Sequence, residues 1–152
     1  MSHLGFKAFL IILLLKQIEK KYTNDTIHVI QKRISGQEVK MKSFPGFIKN
    51  PKNQIDPSQQ NTKDIEGYYF EGKDDSQIAF WECFSNRESK PHVHDFDEYI
   101  LCVRGEYTAI IEGKEIVLNP GDELLIPKGT VQGGKIKAGT RTIHAFGGKR
   151  IK

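Results

Sequence analysis

Cysteine is scarce in this chain: two residues in 152, Cys83 and Cys102. So few exclude a disulfide framework and an all-cysteine zinc site. No apolar run is long enough to span a bilayer as a helix. The run Ala8–Leu15 holds eight residues, against the ~20 that such a helix needs. A basic excess is missing from most of the molecule. Residues 1–40 carry seven Lys/Arg against three Asp/Glu, and residues 41–152 carry sixteen of each, so the formal +4 belongs to the first forty. That balance argues against a nucleic-acid-binding role. Also absent are a glycine-rich phosphate loop, a nucleophile–base pattern and a CxxC pair. After residue 40 no helical period of useful length occurs.

What is present divides into unequal parts. Lys7 precedes the apolar run, as in a secretory signal, but Lys16, Glu19, Lys20 and Lys21 follow at once and no small-x-small cleavage site appears. Met41 opens Met-Lys-Ser-Phe-Pro-Gly-Phe, which reads like a natural start. Residues 1–40 are therefore expected to be an N-terminal apolar, helical extension making few contacts with the rest. Residues 41–65 hold three prolines and the polar run Ser58–Lys63, the chemistry of an arm or loop. Residues 66–152 are the main domain. A cytoplasmic location is expected, with export or membrane association as the alternative if residues 1–40 act as a signal or anchor. No integral membrane span is expected.

From Gly67 onward the chain is a series of short β-like runs. Tyr68–Phe70, Gln77–Phe84, Tyr99–Val103, Tyr107–Glu112, Glu115–Leu118, Glu123–Ile126 and Thr140–Phe146 are rich in aromatic and β-branched residues. Turn signals separate them, among them Glu112-Gly113-Lys114, Asn119-Pro-Gly-Asp122, Pro127-Lys-Gly129 and Gly133-Gly134. Short strands at this spacing predict an all-β antiparallel sandwich or barrel.

One stretch carries chemistry. His92, His94 and Glu98 share parity, so on an extended strand their side chains lie on one face. Two imidazoles and a carboxylate from one face form a 2-His-1-carboxylate set with open coordination positions. An unpaired cluster of this kind inside a barrel would be costly. Tyr99, Leu101 and Val103 face the other way, toward a second sheet or a partner subunit. Asp95 and Asp97 read as a solvated acidic loop. Cys83 and Cys102 read as small buried hydrophobes, and Tyr68, Tyr69, Trp81 and Tyr107 as packing residues. Lys149, Arg150 and Lys152 read as a solvated basic tail.

The spacing His92-x-His94-x3-Glu98-x6-Gly105, followed by Gly121-x5-Pro127-x-Gly129-x2-Gln132, resembles the two signature motifs of the cupins. The likeness covers roughly residues 66–146, and the segment from Met41 onward looks like small bacterial cupins. It implies a double-stranded β-helix, or RmlC-like jelly-roll barrel, around a divalent metal. It implies His92, His94 and Glu98 as ligands, with Gln132 where the family has a fourth histidine. Iron, manganese or nickel suits that set better than copper, and zinc is admissible. Gln132 either ligates through its amide oxygen, bonds a metal-bound water, or marks a site that has lost its metal. His144, on the last predicted strand, is a candidate substrate-binding residue, with a structural role as the plainer account. The resemblance implies a small-molecule ligand or substrate and a homodimer. Dioxygenase, isomerase and lyase chemistry stay open, as does a non-catalytic binding or sensing module.

Overall fold

The computed structural model describes residues 41–60 and 63–152. The expected extension over residues 1–40 lies outside the described residues. Gly46–Lys152 form one compact unit. Among the described residues no helix is long and apolar enough to cross a membrane.

The unit is built almost wholly from strands: β1 (Ile65–Glu71), β2 (Gln77–Cys83), β3 (Arg87–Glu88), β4 (Glu98–Arg104), β5 (Tyr107–Ile111), β6 (Lys114–Leu118), β7 (Glu123–Ile126), β8 (Gln132–Ile136) and β9 (Arg141–Phe146). The order β1-β2-β9-β4-β7 makes a five-stranded sheet and β3-β8-β5-β6 a four-stranded one. Every pairing is antiparallel. This is the jelly-roll arrangement that the motifs imply.

All seven expected strands are present. Two others, β3 and β8, escaped the pattern. β8 did so because Gly133-Gly134 read as a turn. Both glycines are instead buried inside the strand, and Gly134 is there for space. A Cβ on it would fall on the Tyr107 hydroxyl and 2.6 Å from Tyr107 Cζ. The β5–β6 hairpin follows its sequence signal. Glu112 and Gly113 both take positive φ, 48° and 77°, as a two-residue turn matching the strand twist requires.

Strand alternation sorts the side chains. On β4, Glu98, Ile100 and Cys102 are buried while Tyr99, Leu101 and Val103 are partly exposed. One apolar cluster joins Ile100, Cys102, Tyr107, Ala109, Leu118 and Ile126. A second joins Ile55, Ala79, Phe146 and Ile151, with Tyr69, Trp81 and Phe96 packed against it. Fully burying one aliphatic side chain of this kind contributes roughly 1.5–3 kcal/mol. Ile55 belongs to the segment before the barrel, where 3-10 turns at Pro51–Asn53 and Pro57–Gln59 are capped by Asn50 and Asp56. The Ile55 amide bonds the carbonyl of Gly67 at 2.8 Å.

Candidate functional site

A cavity of about 90 Å³ opens inside the barrel. Both sheets supply its wall through their inward positions. β9 contributes Thr142, His144 and Phe146, β4 contributes Glu98, β5 contributes Tyr107, and β8 contributes Gln132 and Ile136. His92 and His94 close one side from the connection before β4. All five residues singled out in the sequence thus meet at one cavity.

They meet by a different route from the one parity suggested. His92, His94 and Glu98 do not share a strand. His92 is an isolated bridge to Gln132, His94 lies in the loop, and Glu98 begins β4. Two backbone bonds fix the bridge, His92 N–H to the Gln132 carbonyl at 2.8 Å and Gln132 N–H to the His92 carbonyl at 2.9 Å. The turn after β7 holds the loop. Gly129 N–H bonds the His94 carbonyl at 2.8 Å, and Lys128 N–H donates to Asp97 Oδ1 at 2.9 Å. Asp97 is exposed, as a solvated loop residue is expected to be, and also ties the two motifs together.

Glu98 is the centre of the polar network. Its side chain is 5% exposed. Gln132 Nε2 donates to Oε2 at 2.8 Å. His144 Nδ1 donates to Oε1 at 2.7 Å. His94 Nε2 stands 3.4 Å from Oε2. The other ring nitrogen of His144, Nε2, lies 2.9 Å from the Thr142 hydroxyl, which extends the chain. Burial opposes ionisation of Glu98, but the hydrogen bond and charge of His144, the charge of His94 and the Gln132 bond together hold its carboxyl below the usual range. Glu98 is an anion at neutral pH.

The two loop histidines differ in their surroundings. Burial, reinforced by the charges of His92 and Arg150 and opposed by Glu98, pushes the His94 imidazole below its ordinary value. His92 Nδ1 donates to the Lys90 carbonyl at 2.9 Å, which in the neutral ring leaves Nε2 with its lone pair free. A ring nitrogen oriented by a backbone carbonyl is a recurrent feature of metal-ligating histidines. The His92 and His94 ring centroids are 4.9 Å apart. The donor chemistry of His92, His94 and Glu98 therefore fits a divalent cation, and the Gln132 amide carries an oxygen for a fourth position. Among the described residues, however, no three His, Cys, Asp or Glu side chains form a metal-holding cluster. The carboxylate oxygens are instead engaged by Gln132 and His144.

Sequence reasoning passed over two cavity residues. Tyr107, read as packing, is buried and lines the cavity, and burial followed by the charge of Glu98 raises its phenol, which stays protonated. Arg150, read as part of a solvated tail, is half-buried and lines the cavity. No motif marks Arg150. The only cue is the apolar Ile151 after it, 2% exposed. Cys83 and Cys102 are free, and burial raises both thiols above their ordinary value, as suits inert packing residues.

The model of the cupin domain family matches residues 82–145. No curated protein matches the chain. Solved structures do. KdgF from Halomonas is 19% identical, with 60% of this chain and 89% of that one covered at a TM-score of 0.51. An RmlC-like cupin from Shewanella frigidimarina is 18% identical over 62% and 92% of the two chains, at 0.51. The polyketide cyclase RemF from Streptomyces resistomycificus is 20% identical over 57% and 66%, at 0.50. At such identities the likeness is one of fold. With both motifs in place, the domain match over residues 82–145 and the shared fold of these structural neighbours, the chain carries a cupin domain folded as a small RmlC-like jelly-roll barrel.

Proposed function

We propose that the cavity binds one divalent metal ion through His92, His94 and Glu98, with Gln132 as a neutral fourth donor, and receives a small molecule beside it. The observation that carries this reading is the convergence of two imidazoles and a carboxylate on one pocket. A bound metal would supply Lewis acidity toward a substrate oxygen. The chain's own groups would do the rest. His144 and Gln132 orient Glu98. The neutral Tyr107 phenol offers a proton donor, and Trp81 and Phe146 give the pocket apolar wall. Iron(II), manganese or nickel suits this mixed nitrogen and oxygen set better than copper.

A second reading rests on the 2.8 Å bond between Gln132 and Glu98. It satisfies the carboxylate without a metal and favours a binding or sensing module. Calorimetric titration of manganese, nickel and iron(II) into metal-stripped wild type and Gln132→His separates the two. Stoichiometric binding by the wild type supports the metal reading. Binding only after Gln132→His supports the module.

The outer face of the five-stranded sheet supports a homodimer. Ile78 and Phe80 of β2, Ile143 of β9, Tyr99 and Leu101 of β4 and Leu125 of β7 lie in register across it. Ile78 and Leu125 are exposed. A second copy is the occupant that this apolar band suits.

A further inference from the structure

We infer that the small molecule taken by this pocket is an organic acid whose carboxylate pairs with Arg150. The inference deepens the small-molecule reading above and rests on it.

Arg150 stands where two spaces meet. It lines the inner cavity with Glu98, His92 and His94, and it lines an outer groove of about 840 Å³ beside the same histidines. Its guanidinium makes a single hydrogen bond, Nη1 to the Gln59 carbonyl at 3.2 Å. No carboxylate among the described residues pairs with it. The other exchangeable hydrogens of that planar fork have no acceptor among the described residues, and a half-buried guanidinium in this condition is built for an oxyanion.

The backbone around Arg150 is fixed, so the cation is held in place before ligand arrives. Gln77, buried on β2, accepts from Arg150 N–H at 2.8 Å and from Ile151 N–H at 2.7 Å. Gln77 Nε2 donates to the Ile151 carbonyl at 2.9 Å. Gln59 clasps Lys152 from the other side, accepting from its N–H at 2.7 Å and donating to its carbonyl at 2.8 Å. Ile151 is sunk in the apolar cluster with Ile55, Ala79 and Phe146. A free tail would need none of these ties.

Charge selects the ligand. Lys128 and Lys152 on the groove outnumber its one acid, Asp95, while Lys149 is already paired with Glu71. The groove therefore attracts anions toward Arg150. Deeper in, the Glu98 carboxyl group lines the same cavity. One guanidinium beside one fixed carboxylate matches a singly charged group and disfavours a phosphate dianion. The hydroxyl of Tyr107, which has no hydrogen-bond partner among the described residues, is left to meet a second oxygen of the same molecule.

The test uses metal-stripped full-length protein, so that no carboxylate binds through a metal. Pyruvate, lactate and benzoate are each titrated against the matching neutral amide, with inorganic phosphate in parallel, by ligand-observed NMR. Wild type is expected to bind at least one acid about tenfold more tightly than its amide. Arg150→Gln is expected to lose about tenfold for that acid and nothing for the amide, with Arg150→Lys in between. Equal binding of acid and amide, no binding of any acid, indifference to Arg150→Gln, or a preference for phosphate overturns the inference. Thermal melting shows that each variant is folded. Metal titration of wild type and Arg150→Gln keeps the two claims apart: metal binding unchanged in the variant with acid binding lost supports both, whereas a wild type that binds the acid but takes up no metal when titrated removes the metal reading alone.

Discussion

His94 makes the pocket sensitive to acid in a direction that can be worked out. Its folded pKa lies below the ordinary imidazole value, so the unfolded chain takes up a proton first as pH falls. The stability this group contributes is complete above about pH 6.5 and is lost as pH drops toward the folded value. Glu98 acts in the same sense at lower pH, because its folded pKa is also depressed. Its contribution is present above about pH 4.3 and is lost as pH falls through the folded value. Urea unfolding of metal-free protein is expected to show stability falling from about pH 6.5 downward. His94→Ala should flatten the upper part of that fall, the part that begins at pH ~6.5. A fall of equal size in the variant would remove His94 as its source. At this scale the sequence was informative about chemistry and blind to context. The spacing of His92, His94 and Glu98 named three cavity residues. Arg150 and Tyr107 could not be read, because their placement depends on Gln77, Gln59 and β8, which are distant in sequence.

At the scale of elements, β8 and the segment after β9 shape the site. Gly134 leaves room for the hydroxyl end of the Tyr107 ring against the β8 backbone. Gly134→Ala is expected to cost about 1–3 kcal/mol by forcing that ring aside, measured by chemical denaturation. A loss below a few tenths would show that the ring has room to move. Gln77→Ala removes four hydrogen bonds, leaving the amides of Arg150 and Ile151 without their acceptor. Faster amide exchange is expected at residues 149–152, with the strands unchanged. Unaltered exchange there would mean that Ile151 alone anchors the segment. Strand positions were legible wherever aromatic and β-branched residues alternate. β8 was not, because Gln-Gly-Gly-Lys-Ile carries the residues of a turn and becomes a strand only through its pairing with β5 and the His92 bridge.

Taken as a whole, the compact unit Gly46–Lys152 has two apolar clusters, a cavity lined by both sheets, and an apolar outer band on the five-stranded sheet. The band is expected to pair two copies. Light scattering should give twice the chain mass for wild type and the chain mass for Ile143→Glu, which places a charge at the centre of the band. A monomeric wild type would refute the dimer. The all-β architecture and both motifs were readable because each depends on local spacing. The closure of the site was not, since the side chains that complete it come from both sheets and from the two ends of the compact unit.

The central claim is that His92, His94 and Glu98 form a metal site in spite of Gln132. Elemental analysis of untagged protein purified without chelator, beside His92→Ala, tests it most directly. About one iron, manganese or nickel per chain in the wild type, lost in a variant that still folds, is the predicted result. Equal metal content in the two proteins, or none in the wild type after anaerobic reconstitution, would contradict it.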